Sequence, residues 1–355
     1  MNIIIQFIVF FVVFFALFYL INFYILFRLY DLFGIKRNKT FYIILIIIVA
    51  SYPLAAMIDR MFSNFLTYLF YYFSSLWMGI MAFFLFTLVI YELVRFFIKI
   101  EKKKIGIIIV SFVLLLSIGS TTYGSFIFLE EIEIPSRNTE LIIVQLSDIH
   151  LGTIKNEKYL LEIIERTNEL NPDIVAITGD LIDGSGKVTQ EQVSLLDNLN
   201  APCYFVTGNH EVFEEQNGIL NLLNNTKVRT LNNELVEFED YQLIGVNYST
   251  EKNHLENELK KLNISDEKMS ILFYHEPKDI EVTNDLGIDL FIAGHGHNGQ
   301  IIPLNFLVKM IYKYNYGLYK YNSTYIYVSS GVGTWGPVMR LGSKNEIVLI
   351  EIIKQ

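Results

Sequence analysis

One cysteine, Cys203, stands among 355 residues, so no disulfide can close within the chain and no redox compartment follows from its cysteine usage. Charge is missing over long stretches: residues 2–27, 40–58, 61–91 and 105–129 contain no Asp, Glu, Lys or Arg. Residues 1–127 hold 10 Lys or Arg and 4 Asp or Glu, whereas residues 128–355 hold 18 and 33. A hydrophobic, slightly basic first third followed by an acidic remainder excludes a single globular domain. The shortage of positive charge in the larger part speaks against nucleic acid as a partner, because binding a phosphate backbone needs a cationic footprint. The chain also lacks an internal repeat, and its last 228 residues suffice for one domain with a sizeable core.

A helix needs roughly 20 apolar residues to cross a bilayer, and each of the four charge-free intervals meets that length. They predict four spans near 3–27, 41–58, 67–91 and 105–127, an all-α transmembrane domain over residues 1–127. A cleaved leader is a poor reading of the first span, which has no basic start and exceeds an h-region of about 7–15 residues. Arg28, Lys36, Arg37 and Lys39 follow the first span, and Arg95, Lys99, Lys102, Lys103 and Lys104 follow the third; only Arg60 lies between the second and third. The positive-inside rule then puts the first and third loops in the cytoplasm, and the N-terminus and the C-terminal domain outside it, in a multi-pass protein of the cell membrane. Glu130-Glu131-Ile132-Glu133 and Pro135-Ser136-Arg137-Asn138 read as a linker over 128–140 that leads into a second domain over 141–355.

In that domain strand-like apolar runs at 141–146, 173–178, 202–206, 269–274, 289–293 and 324–329 alternate with helical patterns at 156–170, 188–199, 211–223 and 253–262. The alternation predicts an α/β or α+β sandwich with largely parallel strands. The residues that carry chemistry stand directly behind these runs. Five of the runs lead into Asp148-Ile149-His150, Gly179-Asp180-Leu181-Ile182-Asp183, Gly208-Asn209-His210-Glu211, His275-Glu276 and Gly294-His295-Gly296-His297. Ligands in α/β sheets bind beyond the carboxyl ends of strands, and five of the six histidines lie at these ends. Imidazole nitrogens mixed with carboxylate and amide oxygens suit Mn, Fe or Zn better than Ca or Mg. Seven or eight donors exceed one site, so two divalent metals are expected. Two ions about 3.5–4 Å apart can clamp the attacking and leaving oxygens of a phosphoryl displacement, with Asp180 as the natural bridge.

The five motifs in this order resemble the signature of the calcineurin-like metallophosphoesterases over roughly residues 140–355. The resemblance implies a four-layer αββα sandwich. It implies one metal on Asp148, His150, Asp180 and His297, and a second on Asp180, Asn209, His275 and His295, with a bridging hydroxide that attacks phosphorus. His210 resembles the family histidine that contacts phosphate and protonates the leaving oxygen, Asn209 a further phosphate contact, and Asp183 the acid that orients His210. Where the protein serine/threonine phosphatases of this family place an arginine after the second aspartate, this chain has Gly184, which speaks against a protein substrate. Gly294–Gln300 and Gly331–Pro337, with Arg340 and Glu346 beyond, resemble membrane-associated members related to UDP-2,3-diacylglucosamine pyrophosphatases. The expected activity is hydrolysis of a phosphodiester, pyrophosphate or phosphomonoester, with a lipid-linked ester among the candidates and the bilayer as a partner. A catalytically silent metal-binding scaffold, or a hydrolase domain that regulates the membrane part, are the rival readings. Residues 302–321 interleave Phe306, Met310, Tyr312, Tyr316 and Tyr319 with Lys309, Lys313 and Lys320, the composition of an interfacial element at a lipid surface. Glu211 opens a helical pattern and reads first as a charge favoured by its N-terminal dipole.

Overall fold

The computed structural model describes residues 3–213 and 216–355. Met1 and Asn2, at the start of the 1–127 region, and Glu214 and Glu215, inside the helical pattern read over 211–223, lie outside the described residues. Two compact units result: residues 1–122 with 336–339, and residues 123–335 with 340–355.

The first unit contains helices α1 (Ile3–Leu32), α2 (Lys39–Phe62), α3 (Phe65–Val94) and α4 (Lys102–Tyr123), each long and apolar enough to cross a membrane. Asparagines set two of the starts: Asn38 Oδ1 accepts from Thr40 N, and Asn64 closes a capping box with Thr67. Each of the four helices runs past its charge-free interval at one end or both and takes in charges there. Several of those charges pair with one another: Arg28 lies 2.5 Å from Glu92 and 3.2 Å from Asp31, and Lys102 lies 3.0 Å from Asp31. An ionic group near hydrocarbon is costly unless paired, so pairing lets the helix continue past the apolar run.

In the second unit β1 (Ile127–Ser136) and β2 (Leu141–Leu146) precede α5 (Glu157–Glu169), β3 (Ile174–Thr178), α6 (Gln190–Ser194) and β4 (Cys203–Val206). Then come α7 (Asn209–Phe213), α8 (Gln216–Leu223), β5 (Arg229–Thr230), β6 (Glu234–Glu237), β7 (Tyr241–Gly245), α9 (His254–Leu259) and β8 (Met269–Phe273). The chain closes with α10 (Ile280–Asp285), β9 (Leu290–Ala293), α11 (Leu304–Ile311), β10 (Gly317–Tyr321), β11 (Thr324–Val328) and β12 (Asn345–Lys354). One six-stranded sheet has the order β1-β12-β2-β3-β4-β5 and the other β10-β11-β9-β8-β7-β6. Alternation along each strand splits its side chains between two cores. Ile143, Ala176, Leu243, Ile271, Phe273 and Ile292 pack between the sheets. Val144, Ile177 and Phe205 face Leu160, Ile163 and Val193 on one outer side, and Leu272 and Phe291 face Leu255 and Ile280 on the other. The result is a four-layer αββα sandwich with mixed strand directions.

The segment read as a linker is a strand. β1 pairs in parallel with β12 over ten residues, from Ile127 opposite Asn345 to Ser136 opposite Lys354. Its three glutamates sit on half-exposed or exposed positions, while Ile132 and Ile134 turn inward, so an acidic sequence hides an amphipathic edge strand.

Candidate metal centre

The loops that leave β2, β3, β4, β8 and β9 meet at one end of the sandwich, and the expected donors converge there. In one cluster His297 Nε2 lies 3.0 Å from His150 Nε2 and 3.4 Å from Asp148 Oδ1. In another, His275 Nε2 lies 3.2 Å from each of Asp180 Oδ2, Asn209 Oδ1 and His295 Nδ1. Asp180 Oδ2 also lies 4.0 Å from His150 Nε2, so a single carboxylate oxygen stands between the two groups.

Each aspartate has one oxygen tied back by the protein. Asp148 Oδ2 accepts from Ser147 Oγ at 2.5 Å and from His295 N at 3.1 Å, while its buried Oδ1 has no hydrogen-bond partner among the described residues. Asp180 Oδ1 accepts from His210 N at 2.9 Å, leaving Oδ2 to the cluster. A buried carboxylate oxygen without a donor is costly, and a cation is the group that would satisfy it. This donor set fits two divalent metals: imidazole, carboxylate and amide donors lie within metal-ligand reach of each other, and Asp180 is common to two of the three groupings.

The backbone is bent to achieve this. Asp148, His150, Asp180, His295 and His297 adopt left-handed φ values of 54°, 52°, 52°, 71° and 48°. Each such conformation costs a non-glycine residue on the order of 1–3 kcal/mol, which the surrounding packing must offset. Gly208 permits a close approach: a Cβ there would lie 2.2 Å from Asp180 Oδ1.

Burial depresses the basicity of three imidazoles. His150 is driven well below the usual histidine range by burial and by the neighbouring His210 and His297. Burial and Arg340 do the same to His297, and burial and His275 lower His295. All three present neutral nitrogens, as metal ligation requires. Burial also opposes a charge on His275, but the adjoining Asp180 overrides it and raises its pKa to about 10. Burial would raise Asp180; the His275 beside it instead holds that carboxyl well below the carboxylate range.

His210 sits at the rim, its ring 4.8 Å from that of His150 and 6.5 Å from that of Trp335. Its Nδ1 donates to the main-chain carbonyl of Asp183 at 3.2 Å. The Asp183 carboxylate lies 3.9 Å from His150 Nδ1.

Several residues have a larger part than sequence reading gave them. Glu211 is fully buried and accepts from Asp180 N at 3.0 Å, Ile182 N at 3.1 Å and Gly208 N at 2.7 Å, which locks two ligand loops together. Burial and the Asp180 carboxylate push its pKa up to about 7. Arg340, fully buried, donates to the carbonyls of His297, Ser330 and Gly333 and fastens three turns behind the site. Tyr248 brings its ring to 6.3 Å from His275 and 6.5 Å from His295. Tyr248 stands just behind β7, a strand that is not among the runs read from the sequence, so its position relative to a strand end shows only in the fold.

The family model described as calcineurin-like phosphoesterase matches residues 141–299. An uncharacterised metallophosphoesterase of Campylobacter jejuni is 36% identical over 230 residues, 62% of this chain and 62% of that protein. One from Aquifex aeolicus is 34% identical over 227 residues, 61% of this chain and 86% of that protein. A transmembrane protein with metallophosphoesterase domain from Bos taurus is 33% identical over 239 residues, 60% of this chain and 53% of that protein. The match spans 62% and 60% of the length of the Campylobacter jejuni relative and of a Helicobacter pylori one.

Proposed function

The chain belongs to the calcineurin-like metallophosphoesterases, and from that premise we propose that it is a membrane-bound hydrolase of phosphoric esters that works with two divalent metals. The observation that carries the reading is the arrangement of Asp148 and Asp180, each with one oxygen held by backbone N–H groups and the other turned to a cluster of imidazoles. Asp148, His150, Asp180 and His297 would hold one metal, and Asp180, Asn209, His275 and His295 the other. Bound there, Mn, Zn or Fe supplies Lewis acidity toward phosphoryl oxygens and activates water for attack on phosphorus.

The chain's own residues do the rest. Asp180 fixes the spacing of the two clusters, with Glu211 holding the loops that carry Asp180 and Asn209. His210 commits Nδ1–H to the Asp183 carbonyl, so Nε2 is the nitrogen left to meet phosphate and to deliver a proton to the leaving oxygen. Asn209 adds a polar contact beside it. The composition offers few cations to attract an anionic ester, so capture falls to the metals and His210.

A phosphodiester or pyrophosphate linked to a lipid is the substrate class we place first. Four membrane-length helices on the same chain and the resemblance of residues 294–300 and 331–337 to diacylglucosamine pyrophosphatase relatives support it. The basic loops after α1 and α3 support an extracytoplasmic catalytic domain in the cell membrane. The test is full-length protein loaded with Mn²⁺ or Zn²⁺ and assayed on aryl phosphate mono- and diesters, phospholipids, nucleotide sugars and polyprenyl phosphates. Turnover is expected to fall by about 10²–10⁴-fold in His210→Ala with both metals retained. Two bound metals with no turnover of any ester would overturn the reading in favour of a binding module.

A further inference from the structure

Beside the metal centre, α11 is fastened on one side and bare on the other. Asn305 is buried, Val308 packs close enough that a Cβ on Gly296 would lie 3.1 Å from it, and Tyr312 just past the helix donates its hydroxyl to Glu276 Oε1 at 2.9 Å. The Tyr312 ring stands edge-on to His295 with centroids 5.7 Å apart. On the opposite arc Phe306, Leu307, Met310 and Ile311 are 59%, 53%, 83% and 71% exposed. Their i, i+1, i+4, i+5 spacing gathers them on one face of the helix. Isolated apolar residues in water are ordinary; four on a single eight-residue helix form a patch that marks an interaction surface. The lysines of this stretch play separate parts: Lys309 is exposed on α11, Lys313 pairs with Glu281 at 3.4 Å, and Lys320 donates to Tyr325 Oη at 2.8 Å.

We propose that the exposed face of α11 rests in the interfacial layer of a lipid bilayer and presents lipid phosphoesters to the metal centre past Tyr312. The substrate half of this statement rests on the hydrolase reading above; the lipid contact does not. The occupant follows from connectivity. Helix α4 ends at Tyr123 and β1 begins at Ile127, leaving only Gly124, Ser125 and Phe126 between a membrane-length helix and the folded domain. Three residues reach about 10 Å when fully extended. A lipid surface is thus present at high effective concentration whatever else the cell offers, and a contact too weak to recruit a free protein suffices for a tethered one. Phe, Leu, Met and Ile with one Lys are the chemistry of a helix lying in an interface.

Cys203 is buried and is the one cysteine, so Met310→Cys and, as control, Leu161→Cys on α5 can each carry a single fluorophore in full-length protein. In vesicles of phosphatidylcholine and phosphatidylglycerol, a nitroxide on the acyl chains is expected to quench position 310 at least threefold more than position 161. Iodide in the water should show the reverse order. Equal iodide quenching at both positions would overturn the proposal, and so would protection of 310 from both quenchers, which would mean a second copy or another protein on this face. Replacing Phe306, Leu307, Met310 and Ile311 together by Gln should lower turnover of a vesicle-embedded phosphoester tenfold or more and leave a soluble aryl phosphodiester within twofold. An equal effect on the two substrates would overturn presentation of lipid substrate. Quenching requires no turnover, so lipid contact without hydrolysis of any ester would sink the hydrolase reading and leave the docking of α11 supported.

Discussion

At Asp148 two oxygens of one carboxylate have opposite surroundings, and that asymmetry makes the residue testable. Oδ2 takes a hydroxyl and a backbone N–H, whereas Oδ1 accepts no hydrogen bond from the described residues and faces His297 Nε2 at 3.4 Å. Asn in its place must turn its NH₂ either against those donors or into the imidazole cluster. Asp148→Asn is therefore expected to drop bound metal from two equivalents to one or fewer and turnover by at least about 10³-fold, a loss comparable with removal of other essential catalytic groups. Metal analysis by mass spectrometry alongside circular dichroism checks it: full metal content in a folded variant would remove Asp148 from the ligand set. Lys155 supplies a second residue-scale prediction outside the ligand clusters. Its side chain is buried, its ammonium stands 3.9 Å over the Tyr159 ring, and burial together with Arg340 pushes its pKa down to about 7. Below pH 7 the amine is charged in folded and unfolded chains alike, and the fold bears the full desolvation penalty. Between about 7 and its ordinary value the unfolded chain binds more protons, so stability rises with pH and the penalty fades. Lys155→Met should raise Tm at pH 7 by about 5 °C, on the order of 2 kcal/mol after loss of the cation–π contact. The gain should shrink on going to pH 10; a gain independent of pH would mean that packing rather than charge set it.

The strand-to-turn junction is the element that makes this site. Gly294 directly follows β9, where a Cβ would lie 1.9 Å from Ser147 Oγ and 2.3 Å from Asp148 Oδ2, so the sheets can bring the β2 and β9 loops together only without a side chain there. Gly294→Ala is expected to push Asp148 off its donors, cost about 1–3 kcal/mol as an overpacked core position, and weaken metal retention at least tenfold. Thermal unfolding with and without added Mn²⁺ measures both; an unchanged metal titration would show that the loop yields freely. The same junction explains what was legible in the sequence. Buried parallel strands are continuous apolar runs, and the polar residues directly behind them announced Asp148, His150, Asp180, Asn209, His210, His275, His295 and His297 as a set that the fold does gather. Legibility failed where burial was one-sided or the contact was made by main chain. β1 and β10 are half-exposed edge strands, and the Glu-rich β1 read as a linker. One hold on His210 is the main-chain carbonyl of Asp183, which leaves no mark in a sequence. Glu211 looked like a helix-start carboxylate because its three backbone donors come from loops that only tertiary structure brings near.

For the whole molecule, 52% apolar content is an average over two units with opposite characters, a charge-poor helical one and an acidic sandwich. Where one ends and the other begins has a physical answer in the edge of the first sheet. β1 contributes Ile127, Ile132 and Ile134 to the cores and covers the whole length of β12. Around that pairing Lys344 Nζ meets Glu130 Oε2 at 2.5 Å, Asn345 Nδ2 donates to the Gly124 carbonyl at 2.7 Å and Arg166 Nη1 to the Ile127 carbonyl at 2.9 Å. A fragment that starts at residue 141, after the segment whose sequence reads as a linker, would lose all of these and expose ten residues of β12 as an unpaired edge. Such an edge is a template for association with other chains. A fragment over 124–355 keeps the strand and is expected to elute as a discrete species and to bind two equivalents of Mn²⁺ or Zn²⁺. The fragment over 141–355 is expected to aggregate, or to unfold at a Tm lower by about 10 °C or more, consistent with losing several kcal/mol of buried apolar surface. Size-exclusion chromatography with metal analysis on the two fragments decides the matter. If 141–355 proved as stable and as metal-competent as 124–355, β1 would be an appendage of the sandwich rather than part of its core, and the domain would begin at β2 after all.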